Sequence, residues 1–362
     1  MLKKRIERVL FFCLVINLAF LITGCGRLTS EKRIIRVSHA QSEAHPEHLG
    51  LLAFKEYVET HMGDRYEVQI FPNEILGSAQ KAIELAQTGA IDFVVAGTAN
   101  LETFAGVYEI FSMPYLFDSE EIYKAVMNDT EYMEGIYEST DEAGFRVITW
   151  YNAGTRNFYA KSPIRTPDDL RGKKIRVQQS PASVNMVNAF GAAAAPMGFG
   201  EVYTAIQQNV INGAENNELA LTNNKHGEVA KYFSYNKHQM VPDMLVANVK
   251  FLEGLSQEEY EVFKEAAALS TEVELREWDK SVEEAKKIAR EDMGVEFLDV
   301  DMEAFKEKVL PLHSQMLEKN PAIKDLYEKV QEVNKAMKNE AIEDKAIGNT
   351  TIREERSNGS SS

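Results

Sequence analysis

Hydrophobic and polar positions alternate from Ile34 to Ala40, which predicts a strand, and a polar loop from Gln41 to Glu47 follows it. From about Pro46 to Met62 the period becomes helical, with Leu49, Leu52, Ala53 and Tyr57 predicted on the buried face. Proline suits a first helical turn because its missing N–H is not needed there. Alternation returns from Tyr66 to Phe71. Ser78 then offers a hydroxyl cap to a helix reaching Thr88, and Gly89 is placed to end it. The run from Ile91 to Ala96 predicts a buried strand. This β-α-β-α-β order implies a parallel sheet covered by helices on both sides.

Leu101 to Phe117 carries Phe104, Tyr108, Phe111, Tyr115 and Phe117, which core and lid packing explain without a cofactor. Helices are predicted near Ser119–Asn128 and Thr130–Glu142, and a strand at Phe145–Tyr151. The stretch from Asn152 to Glu218 sets Arg156 and Arg176 beside predicted strands, with Phe199 and Asn216 at loop positions. A helix follows Asn217 to about Val229, and extended segments interrupted by Pro242 occupy Phe233 to Val249. Ser256 caps a run to Met293 that contains neither Gly nor Pro. A continuous helix there would reach about 57 Å at ~1.5 Å per residue. Its apolar positions Phe263, Ala267, Leu275 and Trp278 keep no clean heptad, so a brace within the molecule is expected rather than a coiled coil. Val295–Val300 reads as a last strand, and closing helices fall at about Met302–Leu317 and Pro321–Met337. The polar tail from Asn339 is predicted to be disordered.

Composition adds size and sign. With 362 residues, 44% hydrophobic and 27% charged, the chain can build two lobes with separate cores. Its formal charge is -16, and residues 1–24 contribute +3, so the remainder stands at -19. Such acidity argues against nucleic-acid binding, which needs a basic face. It also means that an anionic ligand must be captured by a local positive cluster against the overall field, which turns attention to Arg156 and Arg176. The two cysteines, Cys13 and Cys25, allow no disulfide within the folded part and no thiolate metal site. Four of the seven histidines, His39, His45, His48 and His61, lie in the first segment. His45 and His48 have a spacing that could hold a metal, but no His-Glu-x-x-His set accompanies them. Polar residues at a loop and helix start is the preferred reading, and either could instead line a cleft, because the loop after a first strand opens there. No Gly-x-Ser-x-Gly elbow, zinc-protease helix or Gly-rich phosphate loop is present. No enzyme, metal or cofactor is therefore expected.

Lys3 to Arg8 are basic, and Val9 to Ile22 are apolar apart from Asn17. That core is shorter than the ~20 residues of a spanning helix. Leu21-Ile-Thr-Gly-Cys25 resembles the lipobox of bacterial lipoproteins, so residues 1–24 are expected to be a cleaved export signal and Cys25 the lipidated residue of a tether through residue 33. Several acyl chains on Cys25 would give a stable anchor, and the working domain would lie outside the cytoplasm.

Five motifs in order resemble the solute-binding proteins of TRAP transporters, the DctP-like family. They are Phe71-Pro-Asn-Glu-Ile-Leu-Gly77, Met113-Pro-Tyr-Leu-Phe117, Gly154-Thr-Arg156 with Leu170-Arg-Gly-Lys-Lys-Ile-Arg176-Val, Gly198-Phe199-Gly-Glu-Val-Tyr203, and Gly213-Ala-Glu-Asn216. The resemblance spans about Ile34 to Met337. It implies an α/β fold of the periplasmic-binding-protein type: two lobes, a ligand cleft between them and a long helix spanning both. Lobe I would comprise residues 34–153 plus about 243–281, lobe II residues 154–242 plus about 282–338, with 339–362 as the tail. It implies a monomeric receptor that captures a small organic acid by hinge closure and hands it to membrane subunits of a sodium-coupled importer, or reports it to a sensor.

By the same resemblance, Arg176 pairs with the ligand carboxylate, Arg156 is a second positive group, Phe199 packs on the ligand and Asn216 hydrogen-bonds it. A guanidinium offers a planar fork that matches a carboxylate with two parallel bonds, which lysine cannot. Asn217 stands where the family commonly has proline, and Gly97 where some members have an acidic ligand contact. The polar first loop, with His45 as its candidate contact, and the uncharged Gly97 favour a sugar acid such as a uronate or aldonate, with a C4-dicarboxylate as the alternative.

Overall fold

The structure, a computed structural model, describes residues 31–339. The expected signal segment, Cys25 and most of the tether lie outside those residues, as does the tail beyond 339. The first sheet is built from β1 (Arg33–Ser38), β2 (Tyr66–Phe71), β3 (Phe93–Gly97), β4 (Phe145–Tyr151) and β10 (Asp243–Asn248). The second contains β5 (Arg156–Ala160), β6 (Lys174–Val177), β7 (Ala193–Pro196), β8 (Gly213–Asn216), β9 (Tyr232–Gln239) and β11 (Glu296–Leu298). Strand order is β2-β1-β3-β10-β4 in one and β11-β9-β5-β8-β6-β7 in the other. The first three strands are parallel as expected, whereas β10 runs antiparallel to both β3 and β4. It does so because the chain leaves lobe I after β4 and re-enters after β9 across Pro242, so β10 arrives from the opposite end.

Helix α1 (Pro46–Met62) begins at His45, whose side chain accepts the Glu47 N–H. Its buried face is Gly50, Leu51, Phe54, Val58 and Met62 rather than the expected one, and Leu52 is 43% exposed. Both stripes are apolar, and the choice falls to Gly50: a Cβ there would lie 2.6 Å from the Ser270 carbonyl oxygen of the crossing helix. Helix α2 (Ala79–Thr88) is capped by Ser78 and closed by Gly89 at φ 75°, as the pattern predicts. Helix α3 (Pro181–Phe190) belongs to lobe II.

Helix α4 (Gln257–Glu291) opens with a Ser256–Glu259 capping box. Its 35 residues make a rod of about 52 Å at ~1.5 Å per residue. Phe263, Ala266 and Ala267 pack in the lobe I core, while Ala289 enters the lobe II core. The brace across both lobes is therefore real. Other expected helices are divided. Lys225 at φ 60° splits the segment after Asn217 into Leu219–Asn223 and His226–Val229. Pro311 splits the closing helix into Met302–Val309 and Pro311–Lys319, because proline cannot extend the ladder. The expected domain division differs at this point: Phe305 and Val309 pack in lobe II, but Met316, Ile323, Leu326 and Val330 join the lobe I core.

Gly50→Ala is expected to destabilise the protein by about 1–3 kcal/mol, because backbone must move to admit one methyl group. Gly135→Ala, in the helix Thr130–Glu138 with nothing within 4 Å of the new Cβ, should stabilise it by about 0.5–1 kcal/mol. Urea unfolding of both variants checks the α1–α4 approach.

Candidate functional site

Residues of both sheets line a cleft between the lobes. The lobes are closed over it. Glu74 of lobe I accepts the N–H groups of Phe199 (3.2 Å) and Gly200 (2.8 Å) of lobe II. Glu102 of lobe I accepts the Ser180 hydroxyl (2.7 Å) and the Ala182 N–H (3.0 Å) at the start of α3.

Arg176 lies on β6, is 4% exposed and lines the cavity. Its Nε and Nη2 donate to the Met197 carbonyl at 3.2 and 3.0 Å. Among the described residues no carboxylate stands within ion-pairing distance of it. Burial lowers its pKa, which measures how little its surroundings compensate the charge. A guanidinium has five N–H donors, so the Nη1 pair and the second Nη2 hydrogen remain, and these form the end-on fork. Its carbon sits 5.3 Å over the Phe199 ring, which closes one side.

Arg156, at the start of β5, lines the same cavity but is already neutralised. Its Nη2 donates to Glu215 Oε1 (2.9 Å) and to the Glu215 carbonyl (2.9 Å), and its Nε to Glu215 Oε2. Burial opposes the Glu215 charge, yet Arg156 and His238 outweigh it and hold the carboxyl at about 2 against an ordinary 4.5. Arg156 Nη1 donates to Asn216 Oδ1 at 3.2 Å, and the Asn217 N–H donates to the same oxygen at 2.8 Å. The Asn216 amide nitrogen is left for the cavity that Asn216 lines.

The structure thus brings Arg176, Arg156, Phe199 and Asn216 to one cavity. His45 is not among the lining residues. It caps α1, is 3% exposed and meets the Trp278 ring edge-on at 5.8 Å. Among the lining residues that the sequence reading did not single out are Glu47, Asn100, Gln178, Gln179 and Asp243. Asp243 faces Gly97 in the β10–β3 register. That pairing joins residues far apart in the chain, and only the proline before Asp243 hinted at an ordered entry to the strand.

Comparison with known proteins agrees with this geometry. The profile for bacterial extracellular solute-binding protein family 7, DctP, matches residues 37–320. A TRAP periplasmic solute binding protein from Anaerococcus prevotii, solved with bound alpha/beta D-glucuronate, is 52% identical; the match covers 84% of this chain and 99% of that one, with a TM-score of 0.83. A second, from Sulfitobacter with bound beta-D-galacturonate, is 32% identical, covers 82% and 98%, and has a TM-score of 0.77. The protein YiiZ of Salmonella typhimurium is 39% identical over 82% of this chain and 91% of its own length.

Glu215→Gln leaves Arg156 buried without its countercharge and should cost about 3–5 kcal/mol of stability. In the parent protein the stabilisation from Glu215 is full above pH 4.5 and is lost as the pH falls towards about 2, because the folded carboxyl releases its proton more readily than the unfolded one. Thermal melts between pH 7 and pH 3 should therefore show the gap between parent and variant narrowing towards the acid end.

Proposed function

Because the chain belongs to bacterial extracellular solute-binding protein family 7, we propose that it is the extracytoplasmic receptor of a TRAP-type importer for a hexuronate, D-glucuronate or D-galacturonate. Arg176 carries the reading: a buried guanidinium with a free end-on fork at the cleft and no carboxylate of the described residues beside it. A ligand carboxylate completes that charge with two parallel bonds, in a site where closure has removed competing water. The hexuronates bound by the Anaerococcus prevotii and Sulfitobacter proteins support the sugar. A C4-dicarboxylate fits less well, because the other guanidinium at the cavity is already committed to Glu215.

Closure is the working motion. Glu74 and Glu102 hold backbone N–H groups of the opposite lobe, so the contacts that shut the cleft form only when the lobes meet. The closed form is what membrane subunits of the importer would receive. Among the described residues no helix is long and apolar enough to cross a membrane, so translocation falls to those partners. The Leu21–Cys25 sequence supports attachment to the membrane surface through Cys25.

Arg176→Lys should keep the parent's melting temperature within a few degrees and weaken D-glucuronate binding on the order of 100-fold, as loss of one charge-assisted bidentate pair implies. Calorimetry decides it, and unchanged affinity would remove the arginine fork from the mechanism. Expression of Cys25→Ser should shift the protein from the membrane fraction to the soluble fraction, with loss of acyl mass from the mature N-terminus.

A further inference from the structure

The wall facing Arg176 carries two carboxyl groups to which carboxylate capture gives no task. Asp243 opens β10 opposite Gly97, and Glu47 is the second residue of α1; both line the cavity. Gly97 leaves them room. A Cβ there would lie 2.7 Å from Gln178 Nε2 and 3.0 Å from Asp243 Oδ1. Gln178 reaches in from lobe II, is 8% exposed, and its Oε1 has no partner among the described residues. A buried acceptor without a donor at a ligand cavity asks for a ligand hydroxyl.

The protons on the two carboxyls can be placed from their neighbours. His39 Nδ1 accepts the Gln41 N–H at 3.2 Å, and His39 Nε2 meets His48 Nδ1 at 2.9 Å. Glu47 Oε1 lies 3.2 Å from the same His39 Nδ1 and receives no donor of its own. Burial pushes His39 down to about 4 and Glu47 up to about 8. Asp243, hydrogen-bonded to Glu47, is raised by burial and by the Glu47 charge, against the pull of Arg156. The pair therefore shares a proton and keeps one negative charge, so this wall offers an O–H donor and lone pairs together.

We propose that Glu47 and Asp243 are the specificity-determining residues of the site: they exchange hydrogen bonds with the hydroxyls of a hexuronate and refuse a second carboxylate. The inference rests on the hexuronate reading above. A hydroxyl both gives and accepts a hydrogen bond, so it satisfies an acid pair and the orphaned Gln178 oxygen at once. A carboxylate only accepts. It would leave Gln178 Oε1 without a donor and set a like charge against the one that the Asp243–Glu47 pair keeps, which is how a site rejects a near relative of its ligand.

Calorimetry at pH 7 with D-glucuronate and its dicarboxylic counterpart D-glucarate tests this on the parent protein, Asp243→Asn and Glu47→Gln, each checked for a cooperative melt. The parent should bind D-glucarate at least 100-fold more weakly than D-glucuronate. Either amide variant should lose at least 10-fold for D-glucuronate and narrow the ratio between the two acids to below 10-fold. Parent affinities within threefold of each other would overturn the inference, and this result needs no variant to fold. So would a ratio left unchanged in both variants. If the parent binds neither acid, the hexuronate reading fails and takes this inference with it; if it binds D-glucuronate without discrimination, only the inference fails.

Discussion

Two guanidinium groups, Arg156 and Arg176, are buried at the heart of an acidic protein, and among the described residues only Arg156 has a carboxylate partner. Burying an unpaired charge costs several kcal/mol even after relaxation, so its position is set by what must compensate it. Arg156 is compensated from within: Glu215 on the adjacent strand β8 takes both its Nε and Nη2, and His238 supports Glu215 from β9. Arg176, on the far side of β8, has only the Met197 carbonyl. The fixed pair makes the sheet rigid, and the incomplete one makes the site.

The same division orders the lobes. Lobe II presents the cation, the Phe199 ring and amide groups, whereas lobe I presents carboxyls and the Glu74 and Glu102 side chains that reach across. The long helix α4 packs in both cores, and the chain also crosses between the lobes at residues 152–155 and 240–242. Pro311 returns the chain to lobe I, which adds a fourth strap between the lobes. The polar ends of the two lobes meet around the cleft.

Much of this was legible in the chain itself. Local signals held where chemistry is local: Ser78 and Gly89 bound α2, Ser256 and Glu259 open α4, and Pro46 starts α1. Arg176, Phe199 and Asn216 could be placed at the cavity because each sits in a motif that carries its own turn or strand end. The reading missed where sequence-distant partners decide. Asp243 became a site residue through pairing with Gly97, and the orientation of α1 was chosen by the close approach of Gly50 to Ser270. His45 had the right loop but its ring turned inward to Trp278, while the next acidic residue, Glu47, reached the cavity instead. Arg156 lines the cavity as well, but nothing in a linear chain reveals that Glu215 on the neighbouring strand neutralises it.

The most direct measurement is a crystal structure of the protein grown with D-glucuronate. The ligand carboxylate should sit about 3 Å from the Arg176 terminal nitrogens in a two-bond arrangement, as charge-assisted geometry requires, with the sugar hydroxyls turned to Gln178, Asp243 and Glu47. A ligand bound the other way round, its carboxylate against lobe I and a hydroxyl on Arg176, would contradict the assignment of the buried unpaired charge as the reason this site exists.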